Sequence, residues 1–193
     1  MQIVVTTAPT VEPVDLAEAK DQLRVRHAAE DTLIGLLVRA ARSYVETALS
    51  RALITQTIRL ELPAFPRDHV ISLPRPPLLS LTDIKYRDAG NTLLTLDPAT
   101  YVVAPDTVWP KLALAPGISA WPVTCRHPAA VQINYQAGYG PAATDVPDPI
   151  RHAIRLLIEH YYANRGATSE GSRAVVPMAV DMLLSPYRVS GWI

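Results

Sequence analysis

The chain has 193 residues, 49% of them hydrophobic and 19% charged, which is the composition of one globular domain or a domain carrying a lobe, large enough to bury a core without staples. Its 18 basic and 18 acidic side chains cancel, and they nearly balance within residues 1–52, 53–146 and 147–193 as well, so a polybasic nucleic-acid grip driven by counterion release is not expected. Cys125 is alone, which excludes an internal disulfide framework and a zinc ribbon and suggests a reducing compartment or indifference to redox. No stretch approaches the roughly 20 apolar residues of a membrane span, and the start at Met1 lacks the pattern of a signal peptide.

In chain order, Thr6 to Pro13 holds two prolines and reads as an extended arm. Asp15 with Glu18 has the spacing of a capping box, and Leu16, Ala19 and Leu23 form a short stripe, so a helix of about two turns should follow. Glu30 and Asp31 open a second helix with acid at its N-terminus. Leu33, Leu37, Ala40, Tyr44 and Ala48 recur there beside Ile34, Val38, Ala41, Val45 and Leu49, predicting a long helix with a wide apolar face reaching about Ser50.

After Arg51 the period becomes two. Thr55, Thr57, Arg59 and Glu61 alternate with Ile54, Gln56, Ile58, Leu60 and Leu62, the pattern of a strand with one wet face. Further strands are predicted at Val70–Leu73, Leu79–Arg87, Thr92–Leu96, Tyr101–Val103 and Val131–Tyr135, with a hairpin turn at Asp88-Ala89-Gly90-Asn91. Prolines divide this block into short pieces, which suits a small antiparallel lobe and argues against a parallel α/β sheet. Pro147 and Pro149 mark a helix start, Ile150, Ile154, Leu157, Ile158 and Tyr161 form its inward stripe, and Asn164-Arg165-Gly166 its end. Ala167 to Val175 reads as mobile, Met178 to Leu184 as a short helix, and Tyr187 to Ile193 as a tail ending on two large apolar side chains.

The expected architecture is therefore α+β. A small helical bundle comes from residues 1–52 and 147–165, an antiparallel β lobe from 53–146 is inserted in it, and 166–193 form a tail with a short helix. The residues suggest no chemistry. Cys125-Arg126-His127 places a thiol and an imidazole side by side in a loop, without the geometry or the third group of a nucleophilic site. His152 and His160 lie eight apart on one helix, about 12 Å at 1.5 Å per residue, too far to share a metal. Gly138-Tyr139-Gly140 lacks the lysine and serine or threonine of a phosphate loop and reads as a corner. Tyr135, Tyr161 and Tyr162 fit core or interface positions better than base stacking. No catalytic, cofactor or metal residue is nominated.

Several stretches, in this order, resemble a known family. They include Thr6-Thr-Ala-Pro-Thr-Val-Glu-Pro-Val-Asp-Leu-Ala-Glu-Ala-Lys20, Glu30-Asp-Thr-Leu-Ile34, Ala40-Ala-Arg-Ser-Tyr-Val-Glu46, Arg51-Ala-Leu-Ile-Thr-Gln-Thr57, Leu73-Pro-Arg-Pro-Pro-Leu-Leu-Ser80, Val146-Pro-Asp-Pro-Ile150 and Ala179-Val-Asp-Met-Leu-Leu-Ser-Pro-Tyr-Arg188. Together they are similar to tailed-phage head-tail connector proteins, also found in gene transfer agents. The resemblance implies a non-enzymatic adaptor, or head completion protein, in a virion or virus-like particle assembled in the bacterial cytoplasm. It implies a homo-oligomeric ring, commonly of twelve, beneath the portal protein. Such a ring extends the DNA channel without sequence-specific binding and meets a tail or stopper protein below. Portal-binding candidates are Tyr187, Arg188, Trp192 and Ile193. The competing reading is a DNA-binding packaging accessory whose arginines touch phosphates.

Overall fold

A computed structural model of the chain describes residues 1–105, 108–164 and 178–189. The elements are β1 (Gln2–Thr7), α1 (Leu16–Leu23), α2 (Asp31–Leu49), β2 (Gln56–Leu62), β3 (Val70–Ser72), β4 (Leu78–Arg87), β5 (Leu93–Thr95), β6 (Tyr101–Ala104), β7 (Lys111–Leu114), β8 (Val131–Ala137), α3 (Asp148–Ala163) and α4 (Met178–Leu184), with short 3-10 turns between some of them. Helices and antiparallel sheets make this an α+β fold. The chain divides into two compact units, one built from residues 1–9 with 55–139, the other from 10–54 with the segments after 139.

The first unit holds a five-stranded sheet of order β1-β2-β8-β4-β5 and a three-stranded sheet of order β3-β7-β6. Its pairings are all antiparallel. The period-two pattern of β2 is realised as read: Ile58 and Leu60 are buried, while Thr57, Arg59 and Glu61 are half-exposed. Opposite them on β8, Tyr135 and Ile133 are buried and extend the apolar face to Ile84 on β4. On the wet face Arg59 donates to Asn134 at 2.9 Å and Asn134 donates to Asp83 at 2.5 Å, a polar row across three strands. The expected hairpin turn is present. The Asp88 carboxylate accepts from the Gly90 and Thr92 amides, each at 2.9 Å, and Asn91 takes a left-handed φ of 66°.

Two strands escaped sequence reasoning. β1 was not among the predicted strands, and Gln2–Val5 pair with Ile58–Glu61. β7 is four residues between Pro110 and Pro116, too short to show a period, and only Leu112 is fully buried.

In the second unit Asp15 caps α1 by accepting from the Glu18 amide at 2.8 Å, and Glu18 reaches back to the Asp15 amide at 3.2 Å, completing the capping box. Helices α1 and α2 both end without glycine, on Arg24 and Ser50 in the left-handed region at φ 57° and 55°. The amides of Ser50 and Arg51 then satisfy carbonyls of the last turn. Of the wide apolar face expected for α2, Ile34, Val38, Ala41, Val45 and Leu49 are buried, and the row with Leu33, Leu37 and Tyr44 is half-exposed. Helix α3 packs against α1, α2 and α4, burying Ile150, Ala153, Ile154, Leu157 and Ile158.

Charge pairs tie these helices. Glu18 accepts from Arg151 and Arg155 at 2.5 and 2.6 Å, joining α1 to α3, and Arg151 also donates to the Pro13 carbonyl at 3.0 Å. Glu46 is buried within α2. Its carboxylate accepts from Arg42 at 3.0 Å and from the Leu53 amide at 3.1 Å, while Arg42 donates to Glu12 at 2.7 Å. Burial opposes the Arg42 charge, but its bonds to Glu12 and Glu46 and their charges prevail and hold its pKa above the ordinary value.

Two outcomes are expected. Replacing Glu46 by Ala strands the Leu53 amide and half of the Arg42 partners, and should cost about 3 kcal/mol in urea unfolding. The Tyr135 hydroxyl is buried and donates to the Pro74 carbonyl at 2.7 Å, and burial pushes its pKa well up, with Arg75 opposing weakly. Above about pH 10 the unfolded chain releases this proton while the folded chain keeps it, so stability falls with rising pH, by at most about 1.4 kcal/mol per pH unit. Tyr135→Phe should cost about 1–2 kcal/mol at pH 7 and unfold with a shallower alkaline loss than the parent between pH 10 and 11.

Candidate docking surfaces

The C-terminal segment was nominated from sequence as a docking peptide, and the structure shows what holds its first part. After α4, a 3-10 turn over Ser185–Tyr187 brings the backbone back toward the end of α2. Arg51, only 5% exposed, donates from Nε to the Tyr187 carbonyl at 2.6 Å, and the Val189 amide donates to the Leu49 carbonyl at 3.1 Å. Val180, Leu184 and Val189 are buried. Of the four candidates, Tyr187 is half-buried and contributes its carbonyl to this attachment. Arg188 is exposed and pairs with Asp181 at 2.8 Å. Trp192 and Ile193 lie outside the described residues, as does the segment 167–175 that reads as mobile.

Sequence reasoning missed Arg51 as the residue that fixes the tail. An arginine after a helix C-cap reads as a solvated charge, and nothing in the local pattern reveals a carbonyl 136 positions later.

A groove of about 870 Å³ opens in the second unit between the segment 11–16, the first half of α2 and the turn at Pro141–Ala143. Val11, Val14, Leu16 and Val38 give it apolar walls, and Gly35 and Arg39 lie on its α2 side. The turn beside it depends on Gly140, where any Cβ would collide with the Asp145 carboxylate; that carboxylate accepts from the Ala142 amide at 2.8 Å. The sequence reading of this glycine pair as a corner therefore has a steric cause. A second, smaller concavity of about 430 Å³ in the first unit is lined by Phe65 and Trp121, whose rings stack at 5.0 Å.

The residues considered for chemistry are committed elsewhere. His127 Nδ1 accepts from the Ala129 amide at 3.0 Å, and the Cys125 thiol points to Asn91 Oδ1 at 3.7 Å, so the two side chains do not engage each other. His160 contacts the Asn164 side chain and His152 is exposed. Among the described residues no three His, Cys, Asp or Glu side chains gather as a metal site would require, and no helix is long and apolar enough to cross a membrane.

Residues 13–86 match the family model of the phage gp6-like head-tail connector protein. No curated protein matches the chain. Among solved structures, the neck of an empty GTA particle computed with C6 symmetry contains a chain 25% identical, with a TM-score of 0.83 over 100% of this chain and 98% of that one. A chain in the virion of a native gene transfer agent particle is 25% identical, with a TM-score of 0.82 and the same coverage. A third, in the neck of a native GTA particle computed with C12 symmetry, is 24% identical and shares the fold at a TM-score of 0.79. The resemblance read from the residues is thus borne out: the chain matches the head-tail connector model over residues 13–86 and has the fold of a chain in the gene transfer agent neck.

Proposed function

We propose that this protein is a non-enzymatic structural adaptor of the head-tail junction, which assembles as a ring beneath the portal of a phage or gene transfer agent particle. The observation that carries the reading is the likeness in fold, over the whole chain, to a chain in a particle neck. The family match over residues 13–86, from α1 and α2 into β4, supports it independently, since it rests on sequence alone. The similar necks were computed with sixfold and twelvefold symmetry, and a ring of twelve satisfies both.

In this reading the helices of residues 1–52 and 147–165 form a bundle that builds the ring wall. The segment 53–146 is an inserted β lobe, and 166–193 is a tail that engages the portal. The half-exposed row Leu33, Leu37 and Tyr44 on α2 gives such a wall apolar surface to offer neighbours. Near-zero net charge suits a channel through which DNA slides toward a tail or stopper protein. The attachment by Arg51 fixes the chain as far as Val189 and leaves Arg188 exposed, and Tyr187, Arg188, Trp192 and Ile193 are the residues proposed to engage the portal.

Native mass spectrometry of the purified protein should show one closed oligomer, with twelve subunits expected. Removing Ser190–Ile193 spares the buried Val189 and the Arg51 contact, so the variant should stay folded and lose at least about tenfold in portal affinity. Unchanged portal binding by that folded variant refutes the tail's role. Salt titration separates the competing reading. An adaptor should bind duplex DNA weakly, whereas a steep loss of tight binding with rising salt would support a packaging accessory.

A further inference from the structure

We infer that the groove between the segment 11–16 and α2 receives the exposed face of α4 from a second copy of this chain. The inference rests on the ring reading above and names the contact that would close the ring.

Gly35 makes the first observation. It sits inside α2, where glycine weakens a helix relative to alanine, so its presence calls for a packing reason. Its own chain supplies none: a Cβ built there meets only the Arg39 side chain, at an ordinary 3.7 Å. The glycine keeps the α2 side of the groove low for something that the single chain does not provide. Val11 and Leu16, exposed on the opposite wall, leave apolar surface facing the same space.

Helix α4 has the complementary surface. Val180 and Leu184 are buried, which turns Met178, Asp181 and Met182 outward at i, i+3 and i+4 on one face. Met178 is 78% and Met182 69% exposed, and no other described helix of this unit shows two large apolar side chains so exposed one turn apart. Methionine is unbranched and polarisable and fills irregular apolar grooves well. The groove is also lined by Glu12, Asp15 and Asp31, engaged by Arg42, the Glu18 amide and Lys20 respectively, and the cation lining it is Arg39. Among the described residues Arg39 forms no ion pair, and Asp181, placed between the two methionines, pairs with the exposed Arg188 alone. Seating the methionines along Gly35 would bring Asp181 to Arg39. The groove and α4 are different surfaces of one chain, so the contact can run head to tail from copy to copy, the arrangement a closed ring requires.

Two variants test this together. Gly35→Leu fills the groove, and Met178→Ser with Met182→Ser removes the ridge. Both change exposed or open positions, so circular dichroism and thermal melting should show folded proteins. Each alone should be monomeric by light scattering under conditions where the parent forms rings. Mixed, they retain one intact groove and one intact ridge, and should form a 1:1 dimer that grows no further. Arg39→Asp and Asp181→Arg should each weaken assembly at least tenfold, and their combination should restore it. If the parent forms rings that all of these variants also form, the groove is not the contact, and the ring reading stands without it. If the mixture remains monomeric, or the double charge swap fails to rescue, the contact is wrong. A parent that stays monomeric at its highest soluble concentration counts against the ring reading and the contact alike.

Discussion

The second unit depends on covering one helix. Helix α2 is 19 residues long, and its stripe of Ile34, Val38, Ala41, Val45 and Leu49 is fully or almost fully buried. Burial of each large member of that stripe contributes roughly 1.5–3 kcal/mol. The neighbours that cover it come from distant parts of the chain: α1 from before it, and α3 from about a hundred residues later, with α4 packed behind α3. Covering α2 therefore gathers segments that the β-rich sequence separates. The polar groups follow from this. Glu46 lies in the buried part of α2 and is tolerable there only because Arg42 and the Leu53 amide meet its carboxylate. Arg51 is likewise buried at the helix end because the Tyr187 carbonyl receives it.

That constraint also links folding to function. The same helix end that buries Arg51 fixes the course of the chain through Tyr187 to Val189, so the point from which the C-terminus departs is set by the core of the helical unit. The opposite half of α2 carries Gly35 and Arg39 toward the groove. In the proposed adaptor, one helix thus organises both the tail that meets the portal and the surface that meets the neighbouring subunit. Neither role calls for reactive side chains, which agrees with a chain whose only thiol and its neighbouring histidine are engaged with other groups.

Much of this was legible in the residues. The helical period of α2 and α3, the capping box at Asp15 and Glu18, the alternation of β2 and the Asp88–Asn91 turn are local signals, and each element appears where its pattern placed it. What was hidden is non-local. The β-branched run Ile3–Thr7 carries a local strand signal, but its distant partner on β2 does not show in that pattern. β7 is too short between prolines to display a period, and the left-handed ends at Arg24 and Ser50 lack the glycine that would have marked them. The groove, too, is a product of tertiary structure: Val11, Gly35 and Ala142 share no sequence pattern, and only the folded unit brings them to one space. The functional reading came from the ordered set of family-like stretches rather than from any one residue's chemistry, because an adaptor works through its surfaces.

The central claim is one of place. A cryo-electron microscopy reconstruction of particles made with this protein tests it most directly, because the α+β fold can be recognised in density. The account predicts a ring of copies between the portal and the first tail-side component, with the helices and the C-terminal segment resolved in each copy. Copies found inside the capsid, along the tail tube or bound singly to DNA would contradict it.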